Sequence, residues 1–378
     1  MKAICQREGF LAKFQLASSV VPGSGGNAEI NPILKNLKAI ADAEEGRCTL
    51  LGTDLEVGIR LDVLGLTVEE PGEAILPAQQ MLRILREASN KELNLEADSN
   101  ACVVHGKNLY FEMPSEDARN FPDFPTTFTG DDYFEISAGK LREMIRRTIF
   151  AVAEGTGGAR PAMTGVLWEI RGEKLNLVAT DSKRLALAQG EGAPHGDLNP
   201  DGVSAVISPK ALGLLANNLQ DDDEMVRIGL QANEALFRTE LATIYSLLVE
   251  GRFPEYSGLF STVKNAVVVP LEVGAFLSAI RQAAIMVDDE SKRVDFRFEN
   301  GTLTLKAKAA RSGRSKVEMP VVFDAAPIEV GFNPQYLVDM LRILPPDAEV
   351  QLEIVDGSKP ALFRSGASYS YLVMPFTS

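Results

Sequence analysis

Three groups of side chains in this sequence have the types to do chemistry: repeated aspartates, glycine-rich loops, and basic residues along amphipathic stretches. Asp54 and Asp181 stand in matching contexts, Gly52-Thr53-Asp54 and Ala179-Thr180-Asp181, and the run Asp221-Asp222-Asp223-Glu224 places carboxylates side by side. Such groups can hold a divalent cation and activate water, but a cation loop spaces its oxygen ligands along the chain. The acidic run has no such spacing and reads as a solvated turn after a helix. An aspartate repeated in copies of a scaffold more often fixes a turn, because its carboxylate accepts from the backbone amides that follow it. A metal-dependent hydrolase built on Asp54, Asp181 and the acidic run is the enzymatic alternative; it requires chelator-sensitive activity and lacks a clustered ligand set.

The loops Gly23-Ser24-Gly25-Gly26 and Gly155-Thr156-Gly157-Gly158 lack the lysine ending of a phosphate-cradling loop and read as flexible connections. Neither a nucleophile elbow nor a zinc-protease helix motif occurs. Cys5, Cys48 and Cys102 are odd in number and far apart, and His105 and His195 are the only histidines, so neither a disulfide framework nor a zinc site is expected. The reading is of no catalytic residue, no metal and no cofactor.

The basic residues are more informative. Lys140, Arg142, Arg146 and Arg147 crowd the polar side of one amphipathic stretch; Arg83 and Arg86 lie on a second, and Lys210, Arg281 and Arg342 on others. Singly, each is ordinary solvated helix surface. Collectively they stand out, because the chain carries 52 acidic and 38 basic residues, a net charge of −14. If these helices share one side of an assembly, that side is positive and the remainder strongly negative. A positive lining suits phosphate contacts that hold a duplex without reading its sequence, and an acidic exterior repels DNA elsewhere.

The elements that must carry these residues repeat. Leu141, Met144, Ile145, Thr148 and Ile149 fall on one face of a helix, and 10–20 and 273–287 are its counterparts. A second helix in each unit follows an apolar strand and a proline at Pro77, Pro209 and Pro334, 132 and 125 residues apart. Asp54 and Asp181 keep the period at 127 residues, and Phe121-Pro122, Phe253-Pro254 and Met374-Pro375 are read as closing each unit. Alternating runs at 175–179 and 301–306, with Gly46, Gly172 and Gly301 at turns, predict antiparallel hairpins. The fold class is α+β, in three copies of a unit with two helices packed on antiparallel sheet. Domains are expected at 1–126, 132–256 and 262–378, separated by proline- and glycine-bearing linkers at 121–132 and 253–265.

A chain of 378 residues, 45% hydrophobic and 24% charged, has material for two or three cores. No secretory leader is evident in the first thirty residues and no apolar run reaches the length of a bilayer span, so a soluble, cytoplasmic protein with no membrane partner is expected.

The sequence resembles the bacterial DNA polymerase III beta subunit, the replicative sliding clamp, along essentially its whole length. The resemblance rests on Asn31-Pro32-Ile33-Leu34, Gly52-Thr53-Asp54-Leu55-Glu56, Ala179-Thr180-Asp181-Ser182-Lys183-Arg184-Leu185, Glu250-Gly251-Arg252-Phe253-Pro254-Glu255-Tyr256, Gly331-Phe332-Asn333-Pro334-Gln335-Tyr336-Leu337 and Tyr371-Leu372-Val373-Met374-Pro375-Phe376. It implies a homodimeric, head-to-tail ring around duplex DNA, with helices lining the hole, domain one meeting domain three, and sequence-independent topological binding. It also implies a groove that takes short linear peptides from the replicative polymerase and the clamp loader. Matched residue by residue, that groove falls on Met163, Thr180, Arg184, Leu185, Pro254, Leu259, Leu372, Met374, Pro375 and Phe376. The family commonly has Gly-His at Ser182-Lys183 and a basic residue at Gly258 and Thr377, so the groove rim is expected to differ. The loop 22–28 lacks the basic residue often found there, and no DNA contact is assigned to it. At the dimer seam, Lys306, Lys308, Arg311, Arg314 and Lys316 of domain three are expected to face a mixed to acidic edge with Glu92, Glu96, Asp98 and Glu112, a polarity opposite to that expected of better-known clamps. The alternative of the same fold is a clamp-like peptide-binding scaffold that does not retain DNA.

Overall fold

A computed structural model describes residues 1–378 except 24–26, 129–130, 156–159, 200, 288–291, 310–312 and 377–378. Both glycine-rich loops fall largely outside the described residues, as do Arg311 and Thr377. The helices are α1 (Arg7–Ser18), the single turn α2 (Asn27–Ile30), α3 (Ala78–Glu87), α4 (Ala138–Thr148), α5 (Pro209–Asn218), α6 (Val273–Ala284) and α7 (Pro334–Leu341). The expected amphipathic helix at 141–149 is α4: Leu141, Met144, Ile145 and Thr148 are all buried. It ends at Thr148, whose hydroxyl donates back to the Met144 carbonyl at 2.9 Å, and Ile149 opens a 3-10 turn instead.

The chain divides into two compact units, one of residues 1–142, 171–173 and 192–248, the other of 143–170, 174–191 and 249–378. The middle third of the sequence thus contributes to both. In the first unit a nine-stranded antiparallel sheet runs in the order Ala193–His195, Tyr133–Ser137, Met225–Leu230, Glu234–Arg238, Ala242–Leu247, Val57–Leu64, Arg47–Thr53, Asn36–Asp42 and Gly72–Pro77. A five-stranded sheet has Thr67–Glu70 and Leu109–Pro114 as its edges. Helices α1 and α3 pack together, burying Phe10, Phe14, Met81 and Leu85.

In the second unit, strands Val166–Arg171, Lys174–Thr180, Arg184–Glu191, Tyr369–Val373, Ala361–Ser365, Glu349–Ile354 and Val267–Glu272 lie side by side in that order. A four-stranded sheet, edged by Gly313–Pro320 and Ile328–Phe332, completes it. Here α6 and α7 form the helix pair, with Phe276, Ile280, Leu337 and Met340 inward. The strands alternate as half-buried sheet must, for instance through Thr302–Ala309, where Leu303, Leu305 and Ala307 point in. The turns at Gly46 and Gly172 have φ of 57° and 56°, the left-handed geometry a tight hairpin asks of glycine.

One joint occurs in both units. Strand Val57–Leu64 pairs with Ala242–Leu247, placing Val57 opposite Ser246; strand Arg184–Glu191 pairs with Tyr369–Val373, placing Arg184 opposite Val373. Just beyond each pair, the Leu247 amide donates to the Glu56 carbonyl and the Met374 amide to the Lys183 carbonyl, both at 2.8 Å. Met374 therefore matches Leu247, and the expected equivalence of Met374-Pro375 with Phe253-Pro254 is out of register. Of the two linkers, only the second holds regular structure among the described residues. Ser257–Val263, within the second, is a 3-10 segment, while the described residues of 121–132 are coil and bends.

Candidate functional site

The joint of the second unit holds a cleft of about 420 Å³ lined by Arg160, Met163, Thr180, Ser182, Arg184, Leu185, Pro254, Glu255, Tyr256, Leu259, Leu372 and Met374. Eight of the ten residues matched to a groove by resemblance come together here. Pro375 and Phe376 do not: Pro375 is buried, and the Phe376 amide is tied to the Gly331 carbonyl at 2.8 Å. Four lining residues were not on that list. Ser182, Glu255 and Tyr256 lie beside matched positions in sequence, whereas Arg160 carried no signal of its own.

The cleft has an apolar floor and an exposed rim. Leu185 and Leu372 are 2% exposed, whereas Leu259 and Met374 are 39% and 40% exposed. Met163 is set by a 3-10 turn, Pro161–Thr164, whose first turn is closed by the Met163 amide on the Arg160 carbonyl at 2.9 Å. Unbranched methionine on either side adapts to more than one apolar shape, and a concave apolar surface with few polar groups is what captures a side chain from solution.

One wall is the turn of 180–184. The Asp181 carboxylate accepts from the amides of Lys183 and Arg184, both at 2.9 Å, while the Thr180 hydroxyl donates to the Arg184 carbonyl at 2.7 Å. Asp181 thus fixes a turn, as its repetition implied. Ser182 at its tip has φ 72°, in the left-handed region that a side chain disfavours.

Arg184 leaves this turn and is fully engaged. Its guanidinium donates to Asp181 at 2.9 Å, Asp339 at 2.7 Å and the Phe150 carbonyl at 2.8 Å, and it lies 4.7 Å over the Tyr336 ring. Burial opposes this charge, but the hydrogen bond to Asp339 and the charge of Asp181 keep the guanidinium protonated. Burial also pushes Tyr371 up, so that residue is a neutral phenol at physiological pH and the two carboxylates balance the cation. Arg184 organises the wall and has no spare charge for a partner. At the rim, the Tyr256 hydroxyl donates to Glu169, and Glu255 has its pKa lowered by hydrogen bonds from Ser257.

The basic residues divide into two sets. Arg83 and Arg86 on α3, Lys140 and Arg146 on α4, Arg281 on α6 and Arg342 after α7 are exposed. Arg142, Arg147 and Lys210 are paired with groups of the chain itself, Lys210 while still exposed. Arg142 bonds Asp222 and the Leu219 carbonyl, Arg147 pairs with Glu143 and covers the Tyr369 ring, and Lys210 donates to Asp54 at 2.5 Å and the Val20 carbonyl at 2.9 Å. Sequence spacing shows which face a cation is on but not whether an anion across the fold has taken it.

The seam residues are placed differently from expectation. Glu92 and Glu96 belong to strand Glu92–Ala97, the centre of its sheet and not an edge, because sheet order is set by long-range pairing. Glu96 is occupied by His105 and Lys2, whose hydrogen bonds lower its pKa, and Asp98 caps the amides of Asn100 and Ala101. Of the acids, Glu112 alone lies on the edge strand Leu109–Pro114, where it accepts from Tyr110. Lys306 and Lys308 are on the inner strand Thr302–Ala309, exposed and directly opposite Lys316 and Arg314 of the edge strand.

Among the described residues, no group of three or more His, Cys, Asp or Glu side chains is placed to hold a metal ion. The acidic run at 221–224 is a turn: Asp222 takes Arg142, Asp221 accepts from the Asp223 amide, and Glu224 accepts from the Glu240 amide. Cys5, Cys48 and Cys102 are buried, and burial pushes each thiol up to about 12, so none offers a thiolate at neutral pH. No described helix is long and apolar enough to cross a membrane.

Comparison with known proteins agrees along the whole chain. Family models of the DNA polymerase III beta subunit match in order: its N-terminal domain over 1–125, its central domain over 135–255 and its C-terminal domain over 262–377. The chain is 28% identical to the beta sliding clamp of Pseudomonas putida over 98% of each chain. It is 30% identical to that of Streptomyces coelicolor over 91% of this chain and 92% of the relative. The crystal structure of the DNA polymerase III subunit beta from Pseudomonas aeruginosa covers 100% of both chains with a TM-score of 0.86 at 27% identity. A sliding clamp of that organism bound to griselimycin gives 0.88 at 26% identity, again over 100% of both. The fold is that of a DNA sliding clamp. The chain belongs to the DNA polymerase III beta subunit family.

Proposed function

We propose that this protein is a DNA polymerase processivity factor: a homodimeric ring that encircles duplex DNA and tethers the replicative polymerase and clamp loader through short peptides. The observation that carries the docking half is the open apolar cleft of the second unit, built on Leu185 and Leu372 with Met163, Leu259 and Met374 at its margins. Apolar anchors of a linear peptide would be desolvated there while its backbone stays at the rim. Pro375 and Phe376 support the cleft by ending the strand that floors it. The protein binds and does not catalyse, works in the cytoplasm where its DNA is, and is divided functionally at 1–126, 132–256 and 262–378.

The DNA half rests on the exposed cations Arg83, Arg86, Lys140, Arg146, Arg281 and Arg342. Arg142, Arg147 and Lys210 serve chiefly to hold the fold. At the seam between copies, Lys306 and Lys308 lie opposite Lys316 and Arg314; Glu318 pairs with Lys316 at 2.6 Å, and an acidic partner edge such as that bearing Glu112 relieves the remaining like charge.

One experiment separates this reading from a scaffold that binds peptides without DNA: retention on nicked circular DNA together with sedimentation. Replacing Arg83, Arg86, Lys140 and Arg146 by glutamine lowers loading onto the circle about tenfold or more and flattens the salt dependence of loading, because each lost phosphate contact removes a slope of about 0.9, while a ring once closed stays on the circle. Unchanged loading with intact peptide binding favours the scaffold. Reversing Arg314 and Lys316 to glutamate shifts sedimentation toward monomer; an unaltered profile at low protein concentration refutes the seam.

A further inference from the structure

The first unit contains the same joint as the second, and its cleft is filled. Register equates Tyr245 with Leu372, Leu247 with Met374, Gly58 with Leu185 and Thr53 with Thr180. The 3-10 turn Pro32–Lys35, with the Leu34 amide on the Asn31 carbonyl, repeats Pro161–Thr164 with its Met163 amide on the Arg160 carbonyl. After each Phe-Pro pair, Phe124 holds the position that Tyr256 holds in the second unit.

The two aromatic residues do different things. Phe124 lies on the floor: its ring is so close to Gly58 that a Cβ there would sit 2.6 Å from it, and it packs against Tyr245 with ring centroids 6.2 Å apart. It also rests on the cluster of Ile33, Ile75, Ala118 and Phe121. In the second unit the floor position is Leu185, whose side chain occupies that space, and the Tyr256 hydroxyl is turned to Glu169. Glycine in one floor and leucine in the other thus decides whether the following aromatic residue can lie down.

We propose that the first unit carries a latent copy of the peptide-docking cleft, held shut by Phe124 acting as an internal ligand, with Gly58 as the residue that admits it. Its occupant is the chain's own aromatic side chain, and the partner it would take when opened is the same class as the open cleft takes, an extended peptide with apolar anchors. Leu55 and Leu247, 46% and 37% exposed, remain at the margin of the filled joint as Ser182 and Met374 do at the open one. A ligand tethered to its own site competes at a high effective concentration, so free peptide does not displace it. The consequence is a chain that presents one docking cleft, not two.

This inference rests on the docking reading, and the test keeps the two apart. A dye-labelled hexapeptide carrying two leucines and a phenylalanine is titrated against the full chain, Phe124→Ala and Gly58→Leu, with thermal unfolding and circular dichroism establishing that each variant is folded. One peptide per chain is expected for the unaltered protein and two for either variant. Adding Leu185→Ala removes the original site, leaving one. A stoichiometry of one in both folded variants overturns the latent cleft alone. Two in the unaltered protein overturns the plug. Zero in the unaltered protein overturns the docking reading and the latent cleft with it. Gly58→Leu keeps Phe124 in the chain, so it tests displacement even if Phe124→Ala does not fold.

Discussion

The turns at 53–57 and 180–184 share a backbone and differ in how their aspartate is neutralised. In both, a threonine hydroxyl donates to the carbonyl four residues on, at 2.9 Å from Thr53 and 2.7 Å from Thr180. In both, the aspartate accepts from the next two amides but one, and the tip residue has positive φ, 79° at Leu55 and 72° at Ser182. Asp54 is met by Lys210, a side chain 41% exposed. Asp181 is met by Arg184, 11% exposed, which also binds Asp339. The same local sequence therefore pairs a buried aspartate with an exposed cation in one unit, Asp54 being 13% exposed, and with a buried cation at the centre of a site wall in the other. Repetition supplies the turn, and burial decides what depends on it.

The largest expected effect breaks that comparison at its charged ends. Arg184→Ala leaves Asp181 and Asp339 mostly buried without their cation and should cost about 3 kcal/mol, as loss of one partner of a buried pair does. Lys210→Ala removes an exposed cation from a buried Asp54 that keeps the amides of Glu56 and Val57, and should cost less, about 1 to 2 kcal/mol. Urea midpoints of the two variants measure the difference, and equal losses would mean that burial does not distinguish the turns. The smaller effect lies at their tips. Ser182→Gly and Leu55→Gly each relieve a left-handed residue and should stabilise by about 1 kcal/mol at most. A net loss at Leu55 alone would show that its side chain contributes packing that Ser182 does not.

Local features were legible in the sequence. The face of Leu141, Met144 and Ile145 predicted α4, and the repeated Thr-Asp pairs predicted a turn, because both depend on residues within a few positions. The cleft was legible only through resemblance to a family, since Met163, Thr180, Pro254 and Leu372 are brought together by strand pairing and not by spacing. The role of Arg184 was not legible: its second carboxylate, Asp339, is 155 residues away. Phe124 read as linker because nothing local shows that Gly58 leaves room beneath it. The seam was misplaced for a similar reason, as an edge strand is defined by which neighbour is absent, and Glu96 has neighbours on both sides.

Topological linkage to DNA is the property that most directly distinguishes a ring from a charged surface. Purified protein is loaded onto nicked circular DNA by its clamp loader, freed of unbound chain, and the circle is then cut once at a site remote from the nick. A ring that encircles the duplex is retained on the circle at salt concentrations that abolish phosphate contacts and is released when the DNA becomes linear. Retention that falls with salt on the intact circle and does not change on cutting would show that surface charge alone holds the protein, and would contradict the clamp.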